Sequence, residues 1–409
     1  MPMLTQSMDV LVVGGGMAGL AGALALRSNG ARVTVLEQAA EFGEVGAGLQ
    51  MAPNATRLLD RWGLLDEVID VGVQPRNLVF RDALTGEELA RQDLGRDFQD
   101  RYGAPYVVVH RSDLHRILLE ACRRAGVELV NDVRIESVQT LADTAIATAA
   151  DGARYEAGMV LAADGLKSAL RPAVVKDELV PSGYVAYRGT VPVTTATDQG
   201  DLEDVIVYFG PHCHLVQYPL RRKELLNTVA VFKSPSFELG HEQYGGVDEL
   251  QAAYRDCVPA VQAALKNLGT AMRWPMFDRE PTEQWVAGRM LLTGDAAHPM
   301  LQYLAQGACQ ALEDAAALQD LSAETVFADG RVENSKWDPV LDSFVRARGL
   351  RTARVQRTAR QWGESWHVTG IGRTLRNMLF QAPRESHYLY TDWLYGIDSV
   401  EGSRTPGRS

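Results

Sequence analysis

The distribution of apolar and polar positions divides the chain into strand-like and helix-like stretches. An apolar β-prone run at Val10–Val13 enters a glycine-rich turn; a helical stretch continues to about Asn29, and a second apolar run, Val33–Leu36, ends in Glu37. Short apolar runs bounded by turn residues read as strands buried on both faces. Pro53 and Asn54 open an amphipathic helix bearing Leu58, Leu59, Trp62 and Leu65. Leu78 to Gln92 alternates apolar and polar residues around a turn at Leu84–Glu87, which predicts a hairpin. Beyond His110-Arg111-Ser112-Asp113 the pattern predicts a helix over Leu114–Ala125, short strands at Val127–Val130 and Ile135–Val138, and a buried strand at Met159–Ala163. From about Pro181 to Phe277 the chain is mostly strand-like, interrupted by one predicted helix over Val247–Leu268. Met290–Thr293 returns to a buried strand, a helix follows from Ala308 to about Leu321, and Pro339 to about Phe380 reads as helices.

The class these elements predict is α/β. A βαβ nucleotide-binding domain is expected to be discontinuous over 1–180 and 278–335, with an inserted, mostly antiparallel β-sheet domain over 181–277 and a helical C-terminal region over 336–409. Composition narrows the class little: 46% hydrophobic and 23% charged residues are ordinary for a globular protein. A net charge of −11 argues against non-specific nucleic-acid binding. The four cysteines are scattered, without CxxC or His/Cys ligand spacing, which suits a reducing cytosol and predicts no metal site. No basic segment precedes the first apolar run and no stretch of about 20 apolar residues occurs, so neither a signal peptide nor a membrane span is expected. The expectation is a cytoplasmic protein.

Chemistry enters with Gly14-x-Gly16-x-x-Gly19. Gly14 permits a sharp turn, Gly16 lets backbone approach a pyrophosphate, and Gly19 lets the helix pack closely on the sheet. The helix N-terminus offers free N–H groups to phosphates. Glu37, 18 residues past Gly19, is placed to accept both hydroxyls of an adenosine ribose and to repel a 2′-phosphate, favouring FAD or NAD over NADP. Two further motifs follow predicted strands: Asp164-Gly165-Leu166-Lys167-Ser168-Ala169-Leu170-Arg171, and Gly294-Asp295-Ala296-Ala297-His298-Pro299. No second credible dinucleotide fingerprint is present.

These three motifs in this order resemble the FAD-dependent aromatic hydroxylases, single-component monooxygenases sharing the p-hydroxybenzoate hydroxylase fold, over roughly residues 8 to 360. The resemblance implies that Gly14, Gly16, Gly19 and Glu37 hold the ADP half of FAD. It places Arg111 and Asp164 against FAD, and Asp295 on the ribityl chain. The helix from about Gly307 then points its positive end at the flavin. It also implies NADH as a transient co-substrate and a flavin C4a-hydroperoxide as the electrophile. The substrate must then be an electron-rich phenol, with a base at the phenolic oxygen in a dry cavity.

The segment Tyr208–Tyr218 is the best candidate wall for that cavity, since alternation places His212, His214, Val216 and Tyr218 on one face. His214, with an ordinary pKa near 6.5, is suited to a phenolic proton. His298 is the rival base, implied by the family pattern to be chiefly structural. His110, His115, His241, His367 and His387 belong to no motif and are expected to be surface or core residues. Gln302 stands where many family members carry proline. Together with Cys213-His214-Leu215-Val216-Gln217-Tyr218, this resembles the 3-hydroxybenzoate 6-hydroxylases. That resemblance implies conversion of 3-hydroxybenzoate to gentisate with NADH and O2, His214 and Gln302 at the phenol, Tyr218 in the pocket, and a homodimer. A salicylate 1-hydroxylase-type decarboxylating reaction is the alternative, and a flavin-fold binding protein without oxygen chemistry a more distant one. The arginines at 346, 348, 351, 354, 357 and 360 are expected on a solvated or subunit-facing helix.

Overall fold

Three parallel strands lie side by side at the centre of the molecule, Met290–Leu292, Arg154–Ala162 and Met8–Val13, and each leads into one of the three motifs. The computed structural model describes residues 8–43, 46–197, 202–328, 332–381 and 384–396. The sheet has eight strands, ordered Val286–Ala287, Met290–Leu292, Arg154–Ala162, Met8–Val13, Val33–Leu36 and Glu128–Val130, with Ala145–Ala149 joined antiparallel to Arg154–Ala162 and Ile135–Thr140 joined antiparallel to Ala145–Ala149. Val12 stands opposite Leu161 on one side and Val35 on the other. Val10, Leu11 and Val12 are fully buried, as their unbroken apolar run required. Helix Met17–Ser28 packs between helices Arg111–Ala125 and Gly307–Ala323.

A second sheet of seven strands runs Trp274–Asp278, Val180–Pro192, Leu225–Lys233, Cys213–Leu220, Val205–Gly210, Asn77–Asp82, Glu88–Asp93. Its neighbours are antiparallel except at Val205–Gly210 and Asn77–Asp82, which run parallel. The early hairpin, Asn77–Asp82 with Glu88–Asp93, therefore completes this second sheet, although it lies within the 1–180 segment.

Three sequence expectations change. The single helix over Val247–Leu268 is two short helices, Val247–Ala253 and Pro259–Ala264, ending in a 3₁₀ turn at Leu265–Asn267. Pro259 cannot donate to a continuous helix, and the Val258 N–H bonds outward to the Ala83 carbonyl. His212 does not share a face with His214; it sits exposed in the hairpin turn with φ +57°. The arginine run is not simply solvated. On the 30-residue helix Trp337–Trp366, Arg348 is buried and bridges Glu313 and Asp314, Arg351 also meets Glu313, and Arg360 pairs with Asp278. Arg346, Arg354 and Arg357 remain exposed. Among the described residues no helix is long and apolar enough to cross a membrane. His387 and residues 397–409 lie outside what is described of side chains and chain, respectively.

Candidate active site

The C-terminal ends of the three central strands open onto a cavity of about 1000 Å³. Open α/β sheets bind their ligands at this edge. One end is lined by Gly16, Arg111, Gly165, Asp295 and Gly307, the other by Arg188, His214, Tyr218 and Gln302. The second sheet supplies the far wall through strands Val180–Pro192 and Cys213–Leu220. Two helix N-termini, at Gly16–Met17 and Gly307, face the same space and give it a positive end on each.

Gly14, Gly19, Glu37 and Asp164 stand behind the lining. Gly14 has φ +106°, and a Cβ on Gly19 would lie 1.9 Å from the Gly14 carbonyl oxygen, so helix and turn interlock only with glycine at both places. The Glu37 carboxylate accepts from the N–H groups of Gly15 (2.7 Å) and Ala39 (2.8 Å), which fixes it at the lip of the turn. Asp164 Oδ2 accepts from the N–H groups of Ala169 and Leu170, while its Oδ1 is buried with no hydrogen-bond partner among the described residues. A buried acceptor of this kind is costly unless something donates to it. Arg111 is the first residue of helix Arg111–Ala125, one turn earlier than the predicted start, and His110 caps it by accepting from the Ser112 N–H.

At the other end, Tyr218 is buried and its ring packs on Gly48, where a Cβ would lie 2.4 Å from the ring. Burial raises the Tyr218 phenol well above its usual value, so it stays protonated. Gln302 Oε1 accepts from Arg188 Nη2 at 2.7 Å. Burial lowers the Arg188 pKa, with a smaller contribution from Arg111, and the Arg188 Nε has no partner among the described residues. His214 is 1% exposed, and desolvation pulls its pKa down to about 3. The expectation of a histidine titrating near 6.5 is thereby corrected: with the cavity closed around it, the ring is neutral. Its Nδ1 lies 2.8 Å from His367 Nε2.

The rival His298 does not line the cavity. Its Nε2 meets Asp314 Oδ2 at 2.7 Å, and the same oxygen accepts from Thr293 Oγ1 and the Gly294 N–H, fastening the loop that carries Asp295. Several residues escaped the sequence reading. His115 Nε2 lies 2.8 Å from the Gly15 carbonyl and braces the glycine turn. Arg171 Nη1 donates to the carbonyls of Ala296 and Ala297, clasping the second motif to the third. Arg171 stands inside a motif and could have been found there. Arg188 and His367 sit in no motif, and only the fold brings them to His214.

Residues 7–330 match the family described as FAD binding domain, and the chain belongs to that family. Its cofactor is FAD, and the resemblance to FAD-dependent aromatic hydroxylases extends over nearly the whole chain. A 3-hydroxybenzoate 6-hydroxylase from Polaromonas naphthalenivorans (strain CJ2) is 36% identical over 391 residues, covering 95% of this chain and 96% of its own. A 3-amino-4-hydroxybenzoate 2-monooxygenase from Streptomyces cremeus is 34% identical, covering 96% of each chain. A salicylate hydroxylase solved in a substrate complex superposes with a TM-score of 0.80 at 24% identity, covering 98% of this chain and 99% of that one, a likeness of fold. The cavity fits FAD: its volume of about 1000 Å³, the two helix N-termini, and an Asp164 Oδ1 without a hydrogen-bond partner among the described residues are what a dinucleotide with a ribityl chain requires.

Proposed function

We propose that the protein is a FAD-dependent monooxygenase that hydroxylates a monohydroxybenzoate, converting 3-hydroxybenzoate to gentisate with NADH and O2. The observation that carries this reading is the pairing, in one cavity continuous with the flavin end, of a buried histidine with a guanidinium that no carboxylate meets among the described residues. A hydroxybenzoate offers a matching phenol and carboxylate. The relatives named for hydroxybenzoate hydroxylation support the substrate class, and those named 3-hydroxybenzoate 6-hydroxylase support para attack.

FAD, when bound, supplies the redox chemistry that takes electrons from NADH and delivers one atom of O2 to the ring. Gly16, the Gly307 helix terminus, Glu37, Arg111, Asp164 and Asp295 would hold it. Arg188 receives the substrate carboxylate, in a charge-assisted and geometrically matched contact. Gln302 orients that guanidinium through Oε1 and keeps its amide N–H groups for the substrate. His214 accepts the phenolic proton, which makes the ring oxygen electron-releasing and directs attack. Tyr218 stays protonated and donates a hydrogen bond. The apolar lining keeps water from the reacting centre.

We also infer a homodimer in the cytoplasm: helix Gly370–Phe380 leaves Ile371 and Leu379 80% and 69% exposed, an apolar strip suited to a second copy. The decisive experiment follows NADH, oxygen and product together over the three monohydroxybenzoates. Gentisate from 3-hydroxybenzoate with matched NADH and O2 consumption is expected. Catechol from salicylate would favour the decarboxylating alternative, and NADH oxidation unmoved by every isomer would remove the reading.

A further inference from the structure

His214 is the only histidine lining the cavity among the described residues, yet it is one half of a buried pair. His367, 4% exposed, closes the long helix Trp337–Trp366 as its C-cap residue and brings Nε2 to 2.8 Å from His214 Nδ1. The rings are nearly parallel, 26° apart with centroids at 5.1 Å. Tyr184 stacks on the outer face of His367 at 4.5 Å, Trp366 stands edge-on to His214, and Tyr303 is tilted against His214 and edge-on to His367. The His367 carbonyl is also tied down, accepting from the His212 N–H at 3.1 Å. Neither ring has freedom to leave the other.

Two neutral imidazoles joined by one hydrogen bond share a single bridging proton, and its side fixes the outer nitrogen of each ring. With the bridging proton on His214 Nδ1, His214 Nε2 carries a lone pair and is a base. With it on His367 Nε2, His214 Nε2 carries hydrogen and can only donate. His214 Nε2 has no hydrogen-bond partner among the described residues, so His367 alone fixes its state before substrate arrives. The charged and titratable groups around the pair are few. They are Tyr184 from strand Val180–Pro192, Tyr303 from the loop after the third motif, His212 from the hairpin turn, and Arg376, which donates to the Trp366 carbonyl from helix Gly370–Phe380. No carboxylate bonds to either ring among the described residues, so nothing else holds a proton there.

We propose that His367 is the positioning residue of the base: it sets the tautomer of His214 and shares the phenolic proton. This rests on the reading of the cavity as a phenol site. The proton passes from the phenolic oxygen to His214 Nε2 while the Nδ1 proton of His214 moves onto His367 Nε2. The O–H bond breaks, two N–H bonds form and one breaks, and the positive charge is shared across the bridge between the two rings, drawn toward His367 and away from the substrate. No proton leaves the pair. The reverse shift returns it to the ring oxygen when the hydroxylated ring regains aromaticity. Burial disfavours a cation on either ring alone, and a shared proton is the form of that charge the site can hold.

The test uses FAD-loaded protein with 15N-labelled histidine, and His214→Gln to assign the His214 signals. Wild type is expected to show His214 protonated at Nδ1, shifting to predominant Nε2 protonation in His367→Phe. An unchanged His214 tautomer in that variant overturns the proposal. His367→Gln keeps an acceptor in place without a second titratable ring, and guards against a folding failure of the phenylalanine variant. With 3-hydroxybenzoate bound, its ultraviolet difference spectrum should report a phenol that ionises at least one pH unit higher than in wild type. Turnover should fall at least tenfold, within the usual range of about 10²–10⁴ for acid–base groups, with KM changed less than threefold. Wild-type ionisation and turnover in His367→Gln would overturn the sharing step. If wild type acts on no hydroxybenzoate, the substrate reading fails by itself, and the tautomer comparison still decides the role of His367.

Discussion

Arg188 donates to the Gln302 amide oxygen at 2.7 Å, and no carboxylate meets that guanidinium among the described residues. The arginine comes from the second sheet and the glutamine from the loop after the third motif, so the contact spans the cavity's two walls. Among the described residues each buried arginine meets a carboxylate: Arg171 and Arg279 meet Asp177, Arg289 meets Asp338, Arg348 meets Glu313 and Asp314, and Arg376 meets Asp82. An amide satisfies geometry without cancelling charge, and burial accordingly lowers the Arg188 pKa. A site kept cationic at such cost is a site prepared for an anion.

Arg188→Met should therefore weaken 3-hydroxybenzoate binding by about 10- to 100-fold, the scale of one hydrogen bond to a charged group, about 1.5–3 kcal/mol. FAD content should hold. Titration of the flavin absorbance with 3-hydroxybenzoate and with plain phenol separates the effects, because phenol lacks the carboxylate and should bind both proteins alike. Equal loss for both ligands would place Arg188 in the architecture and not at the carboxylate.

Acid should destabilise the protein from an unusually high pH downward. An unfolded histidine titrates near 6.5, whereas folded His214 stays neutral to about 3 and His367 is also held well below its usual value. Between those values the unfolded chain binds more protons, so stability rises with pH and is lost on acidification through 6.5. Each such histidine contributes a slope of about 1.4 kcal/mol per pH unit in that window. The buried carboxylates Asp82 and Glu313, depressed to about 2, act in the same direction but only below the unfolded value near 4. Thermal midpoints of the FAD-loaded protein between pH 6.5 and 5 should fall less steeply in His214→Leu than in wild type. Parallel curves would show that another group governs this window.

How much of this was legible from the chain depended on distance along it. The glycine turn, the three motif strands and the early hairpin are local patterns, and period and turn chemistry suffice for them. The helix break at Pro259 is also local, since the proline itself marks it. Other features are non-local by nature. His367 lies 153 residues from His214, and Arg188 lies 114 from Gln302; no periodicity relates them. The arginine run departs from the solvated expectation because charge on a helix reads as solvated unless its partners are known. Those partners, Glu313 and Asp314, belong to an apolar-looking helix that supplied no warning.

That run yields a paired prediction. Arg348→Met would leave Glu313 and Asp314 with their buried charge partly unmatched, and removing one partner of a buried ion pair typically costs about 3–5 kcal/mol. Arg346, two residues earlier, is exposed and among the described residues bonds only Ser343, so Arg346→Ala should stay within about 0.5 kcal/mol. Denaturant midpoints of the two variants measured side by side test the contrast; similar shifts would mean the buried cluster contributes no more than surface charge.

Gly48 offers a way to move the substrate wall without touching its polar groups. Its N–H donates to Asn227 Oδ1 at 2.9 Å, which holds the strand Gly48–Met51 against the second sheet, and the Tyr218 ring fills the space where a Cβ would project. Gly48→Ala places a methyl carbon 2.4 and 2.8 Å from two ring carbons of Tyr218 and 2.7 Å from its hydroxyl oxygen, closer than such atoms approach, so ring or strand must shift. Tyr218 is 3% exposed and lines the cavity, so a displaced ring changes the cavity wall. The three atoms nearest that added carbon all belong to Tyr218, so FAD should bind as before. The expected result is a protein with full flavin content, a several-fold higher KM for 3-hydroxybenzoate, and more hydrogen peroxide per NADH, since a displaced wall no longer seals the reacting centre from water. Peroxide yield and KM both equal to wild type would show that Tyr218 can yield freely, and that its packing on Gly48 does not shape the substrate site.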